Sequence, residues 1–173
     1  MPPSVVSIVS KKSSGKTTLI EKLIPALKRK GYRVGTVKHD THGFDIDHQG
    51  KDSWRHKHAG ADTVLISSAW KISLIKDVAE EMSLDQIVTQ HFGDMDIVIT
   101  EGYKRAGKPQ IEVFRSTAHS RPLHTKEEKN TLLAIMSDVP LDLDVPQFDI
   151  NDVQTLADFI EEVFFKERSP DRH

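Results

Sequence analysis

Ser10-Lys11-Lys12-Ser13-Ser14-Gly15-Lys16-Thr17 has the residue types and spacing of a loop that holds a nucleotide's phosphates, with Ser10 where the pattern Gly-x-x-x-x-Gly-Lys-Ser/Thr opens on glycine. Gly15 lets backbone come close to an anion. The N–H groups from Lys12, Ser13 and Ser14 through Gly15, Lys16, Thr17 and Thr18 point at that anion, with a helix dipole behind them. Lys16 supplies a point charge for the β- and γ-phosphates, and the Thr17 hydroxyl is placed to bind a magnesium ion bridging them. Ser10 is small enough to be tolerated, at a cost if the backbone needs a positive φ there.

A second set of groups lies at the ends of apolar segments. Asp96-Ile97-Val98-Ile99-Thr100 runs into Glu101-Gly102, a pattern that places an acid next to phosphate-bound magnesium, directly or through water. Glu101 is therefore expected as a catalytic and metal-binding carboxylate, with Asp40, after Lys38-His39, as a second magnesium candidate. Gly102 would let backbone approach the γ-phosphate, although turn geometry explains a glycine there equally well. Asp138 follows the apolar run Leu132 to Met136 at a point where a carboxylate could accept from the N1–H and amino group of guanine. The Asn-Lys-x-Asp guanine signature does not occur.

These groups need elements to hold them. Val5 to Val9 reads as an apolar strand, and residues 15–30 as a helix closed by Lys28-Arg29-Lys30 and Gly31, with Pro25 predicting a kink or an early break. Strands are expected at 32–39, 62–67, 71–77, 96–100, 110–115 and 131–136, the second and third forming a hairpin or bent pair around Ala69-Trp70. Helices are expected at 51–58, at 83–92 with Ser83 as N-cap, and at 152–166. The alternation of strands and helices predicts an α/β fold with a mostly parallel central sheet, helices on both faces and ligands at the carboxyl ends of strands, and with the phosphate loop after the first strand the expectation is a three-layer P-loop NTPase fold.

The chain has 173 residues, 37% of them hydrophobic, enough for one ordinary domain over residues 1–168 with a disordered tail at 169–173. A net charge of -2 with scattered Lys and Arg gives no reason to expect nucleic acid as a partner. With no cysteine, disulfides, zinc-thiolate sites and thiol catalysis are excluded. No apolar run approaches transmembrane length and no signal peptide is visible, so a cytoplasmic protein without a membrane partner is expected.

The phosphate loop SKKSSGKTTLIEKL (Ser10–Leu23), the segment KHDTHGFDIDHQGKDSWRHKHAGAD (Lys38–Asp62) and DIVITEGYK (Asp96–Lys104) together resemble the molybdopterin-guanine dinucleotide biosynthesis protein B (MobB) family, in order along the whole chain. The resemblance implies a dimeric GTP-binding adapter with weak GTPase activity in molybdenum cofactor assembly. It would act on the partner protein that attaches the guanine nucleotide to molybdopterin, with a molybdopterin-type ligand as a further partner. GTP rather than ATP follows from this likeness alone. Ser10 departs from it, since the family usually keeps glycine there.

His39, His42, His48, His56 and His58 fall within the middle segment, among several acids and bases. One reading is a nickel or zinc site, and so a metal-insertion GTPase, although His56 and His58 would diverge on a helix. A second is a polar loop closing over nucleotide or pterin, with Lys51 and Arg55 contacting phosphate and Asp45 or Asp47 as water or magnesium partners. A third is a solvated surface loop with a dimer contact. A small-molecule kinase or ligase also shares the Glu-Gly strand end, but a dedicated base and a lid are not obvious. Trp54, Trp70 and Tyr103 could stack on a base or pterin, or simply pack in the core or an interface. Arg55 and Arg105 are the candidates for an arginine acting on the phosphates.

Overall fold

The structure, a computed structural model, describes residues 2–125 and 131–166, so the expected tail at 169–173 lies outside the described residues. The chain divides into two compact units, Met1–His39 with Leu84–His173, and Asp40–Ser83.

In the first unit, β1 (Ser4–Val9), β2 (Val34–Lys38), β5 (Ile97–Glu101), β6 (Gln110–Phe114), β7 (Leu132–Ser137) and β8 (Gln147–Asp149) form one sheet in the order β2-β5-β1-β6-β7-β8. Every pairing in it is parallel. Side chains of successive strand residues alternate between faces. Val6 and Ile8 of β1, Ile97 and Ile99 of β5, Ile111 and Val113 of β6, and Ala134 and Met136 of β7 share a core with α1 (Lys16–Arg29) and α4 (Val153–Phe165). Val98 and Val5 point the other way, onto Leu84 and Val88 of α3 (Leu84–His91). The sheet thus has helices on both faces, as the alternating pattern predicts. Its central strands are buried on both sides, which is why they read as continuous apolar runs.

Helix α1 starts just after Gly15 and its C-cap is Lys30, followed by Gly31 at φ 91. It runs through Pro25 to Arg29 and does not break early. Pro25 is exposed, whereas Leu23, Ala26 and Leu27 are buried, and the packing of that buried face holds the helix through the proline. Asp152 caps α4, accepting from the Thr155 N–H at 3.1 Å and the Thr155 hydroxyl at 2.6 Å. Strand β8 has three residues at the sheet edge, too short a run for its Gln-Phe-Asp alternation to stand out, and sequence reading missed it.

The second unit holds α2 (Asp52–His58) and the antiparallel ribbon of β3 (Thr63–Ser67) and β4 (Ile72–Lys76), the hairpin expected around Ala69-Trp70. Ser68 closes its turn, accepting the Lys71 N–H on its hydroxyl at 3.1 Å and donating its own N–H to the Lys71 carbonyl at 2.9 Å.

Candidate functional site

The parallel register decides what meets the loop after β1. Ile8 of β1 lies opposite Glu101 of β5, and Val9 opposite Glu112 of β6, so the chain leaving β1 emerges between the exits of those two strands. Gly15, at φ 97, turns the loop into α1, and Ser13, at φ 62, carries the other left-handed residue of the loop. Ser10 is not among the residues with positive φ, so the backbone there does not call for glycine and the serine costs no strain. Its side chain is buried, as is that of Ser14, whose hydroxyl donates to the Lys11 carbonyl at 3.2 Å.

Lys16 reaches back into the loop, its ammonium donating to the Ser10 hydroxyl at 2.9 Å. Burial pushes its pKa below the usual lysine value, the charge of Glu101 works against that shift, and Lys104 adds to it. On the β5 side the Thr17 hydroxyl donates to Glu101 Oε1 at 3.0 Å. The two residues expected to share a magnesium ion are therefore within hydrogen-bond distance, although 84 positions apart in the chain. A hydroxyl and a carboxylate at the start of a helix are hard oxygen donors, and they fit magnesium. Gly102, at φ 98, donates its N–H to the Ile8 carbonyl at 3.3 Å and lies so near His39 that a Cβ would sit 3.3 Å from that residue's own Cβ.

On the β6 side, the segment after Phe114 is fastened to the phosphate loop. His119 Nε2 lies 2.6 Å from the Lys12 carbonyl, and the Lys11 ammonium donates to the Arg121 carbonyl at 2.8 Å. Asp138, at the exit of β7, accepts the Ser116 N–H at 2.7 Å and its hydroxyl at 3.1 Å. Those bonds, the N–H foremost, hold the Asp138 carboxyl below the usual aspartate range. Further along, buried Glu112 accepts the His124 N–H at 3.0 Å, lies 2.8 Å from His124 Nδ1, and also accepts the Leu123 N–H. Of this side sequence reading singled out Asp138 and missed Arg115, Glu112, His119 and His124. Arg115 was available to the strand-exit rule that selected Glu101, because it ends the segment expected as a strand at 110–115.

The structure brings Lys12, Ser13, Ser14, Gly15, Lys16, Thr17 and Thr18 together with Glu101 and Gly102 in the first unit, with Asp138 on the β6–β7 side. Asp40, Asp45, Lys51 and Arg55 belong to the second unit. There Asp40 accepts the His42 N–H at 2.9 Å, and exposed Arg55 lies 3.7 Å from Asp52. Asp47 accepts the His48 N–H at 2.8 Å, and its Oδ2 is shielded from solvent. Trp54 stacks on His58 with ring centroids 3.6 Å apart, and His58 Nδ1 lies 3.1 Å from the Trp54 carbonyl. Among the described residues no three His, Asp or Glu side chains are placed to hold a metal ion together. Arg105 is exposed in the turn after Tyr103, and Trp70 is 96% exposed. No helix among the described residues is long and apolar enough to cross a membrane.

A family model described as molybdopterin guanine dinucleotide synthesis protein B matches residues 5–138. The molybdopterin-guanine dinucleotide biosynthesis adapter protein of Escherichia coli (strain K12) is 40% identical over 152 residues, covering 86% of each chain. The protein of the same name from Haemophilus influenzae is 36% identical over 158 residues, 91% of this chain and 87% of that one. A crystal structure of molybdopterin-guanine biosynthesis protein B superimposes with a TM-score of 0.72 at 34% identity, over 92% of this chain and 98% of that one.

Proposed function

Because the chain belongs to the molybdopterin guanine dinucleotide synthesis protein B family, we propose that it is a GTP-binding adapter in the biosynthesis of molybdopterin guanine dinucleotide. The observation that carries the nucleotide part is the approach of Thr17 Oγ1 to Glu101 Oε1, 3.0 Å, beside Lys16 at the start of α1. Thr17 and Glu101 would hold magnesium, and when bound the ion neutralises charge on the β- and γ-phosphates. Loop N–H groups bind the phosphates, and Lys16 exchanges its bond to Ser10 for a phosphate oxygen. Hydrolysis is slow at most. The partner is the protein that joins the guanine nucleotide to molybdopterin, and Asp45, Lys51 and Arg55 are offered to it or to a pterin ligand.

The adapter works as a homodimer in the cytoplasm. Support for a second copy comes from the ribbon of the second unit, where Leu65, Ile72 and Leu74 share one face and are 56%, 70% and 45% exposed. An apolar face on a two-stranded ribbon invites a partner sheet. Titration of the full chain with GTP and ATP, with and without magnesium, tests the nucleotide reading. GTP binds best, magnesium tightens it and Lys16→Ala cuts affinity severely; wild-type protein indifferent to both nucleotides overturns it.

A further inference from the structure

We propose that Arg115 is a second cation of the phosphate-binding loop, supplied by the same chain from the exit of β6, and that its guanidinium contacts the phosphate chain of the bound nucleotide. The proposal rests on the nucleotide reading above and names a residue that reading does not use.

Three observations place Arg115 there. Strand β6 is the neighbour of β1 on the side away from β5, so the residue following Phe114 emerges beside the loop that follows Val9. Arg115 is half-buried, and its Nη2 lies 3.8 Å from the point where a side chain on Gly15 would begin. Gly15 is the N-cap residue of α1, so the guanidinium lies beside the N-terminus of that helix, where N–H groups and the helix dipole favour an anion.

The position is a fixed one. The segment that begins at Arg115 is tied to the phosphate loop through His119 and the Lys12 carbonyl and through Lys11 and the Arg121 carbonyl, and to β7 through Ser116 and Asp138. The charge of Arg115 also helps hold Asp138 below the usual carboxylate range, so a negative charge on the β7 side balances the guanidinium. Lys16 and Thr17 with Glu101 address the phosphates from the β5 side; Arg115 closes on them from the β6 side. A planar guanidinium suits this work because two of its N–H groups match two phosphate oxygens at once.

The test compares Arg115→Gln and Arg115→Lys with the wild-type chain, using GTP and inorganic triphosphate as probes in the presence of magnesium, with the unfolding midpoint measured for each variant. Arg115→Gln should weaken both probes by about 10- to 100-fold, the range for losing a hydrogen bond to a charged group. Arg115→Lys should fall between the two, by at least about 3-fold, because it keeps the charge and loses the fork. Wild-type affinity for both probes in Arg115→Gln overturns the proposal. So does loss of GTP with triphosphate retained, since that would put the guanidinium on the base. If Arg115→Gln does not fold, Arg115→Lys decides, and unchanged affinity in it counts against the proposal. Lys16→Ala is the control: if wild type binds neither probe, or Lys16→Ala binds both as well as wild type, the nucleotide reading itself has failed.

Discussion

The Lys16 ammonium donates to the Ser10 hydroxyl, 2.9 Å away, across the loop that joins β1 to α1. The residue that replaces the first glycine of the pattern thus acts on the residue that defines the pattern's function. On the proposed nucleotide reading a phosphate oxygen would compete with the Ser10 hydroxyl for the same ammonium, so the serine would set how much Lys16 gives up on binding. Ser10→Gly removes the competitor at a net value of about 1 kcal/mol, offset by the greater backbone freedom of glycine. Calorimetric titration should show GTP affinity equal to wild type or up to about 5-fold tighter. A loss of 10-fold or more would mean that the serine holds the loop in its binding shape.

Glu101 faces Thr17 at 3.0 Å, and its charge lies close to the Lys16 ammonium. Replacing the carboxylate by an amide keeps the shape and removes one hard oxygen donor for magnesium. Glu101→Gln should lose most of the magnesium enhancement of GTP affinity, about 10-fold or more, the size expected for one charged partner. Binding without magnesium should stay the same or improve slightly, because a negative charge next to the phosphates is gone. An unaltered ratio of affinities with and without magnesium would remove Glu101 from the metal site.

Asp138 sits at the exit of β7 with both carboxylate oxygens on Ser116. Each oxygen keeps a second lone pair, so the same group can also accept from a guanine edge. Asp138→Ala should lower GTP affinity more than ATP affinity, by about 10-fold in the ratio. Equal losses for the two nucleotides would confine Asp138 to positioning the segment after β6.

What was legible in the sequence was what is local. Ser10 to Thr17 declares itself by spacing, and Glu101 by ending an apolar run, because strand exits in a parallel sheet share one edge. Arg115 was not legible as a neighbour of Gly15, since that contact exists only because β6 lies beside β1, a fact of strand order. The harmlessness of Ser10 was hidden too, because the positive φ falls at Ser13 and Gly15. Of the kink or early break that Pro25 predicts, the break does not occur, because burial of Leu23 and Leu27 holds the helix through to Arg29. Composition does not mark the boundary between His39 and Asp40, since Lys38-His39-Asp40 is polar on both sides of it.

Gly35 on β2 is a packing constraint on the α3 face. A Cβ built there runs into the Phe92 ring and comes within 3.2 Å of Met95 Cγ. Gly35→Ala should destabilise the chain by about 1–3 kcal/mol, the usual cost of overpacking. Urea denaturation would show it as a lower midpoint at unchanged slope. Combining it with Phe92→Leu should recover part of the loss, and a Gly35→Ala chain as stable as wild type would show that the ring can move aside.

Lys30 at the end of α1 joins Asp158 at 2.6 Å and Glu161 at 2.7 Å on α4, and Tyr32 donates its hydroxyl to Glu161 at 2.9 Å. These bonds raise the Lys30 pKa to about 12 and hold both carboxyls below their usual values. For a lowered carboxyl the stabilisation is complete above the unfolded value of about 4 and is lost as pH falls through the folded one. For the raised lysine it is complete below about 10.4 and is lost as pH rises toward about 12. The cluster therefore contributes fully across neutral pH and fails at both extremes. Lys30→Met removes the partner of both acids, so the difference in unfolding midpoint between it and wild type should be largest near pH 7 and shrink below about pH 4. A difference that stays constant from pH 3 to pH 7 would show that Lys30 stabilises through its methylene packing and not through its charge.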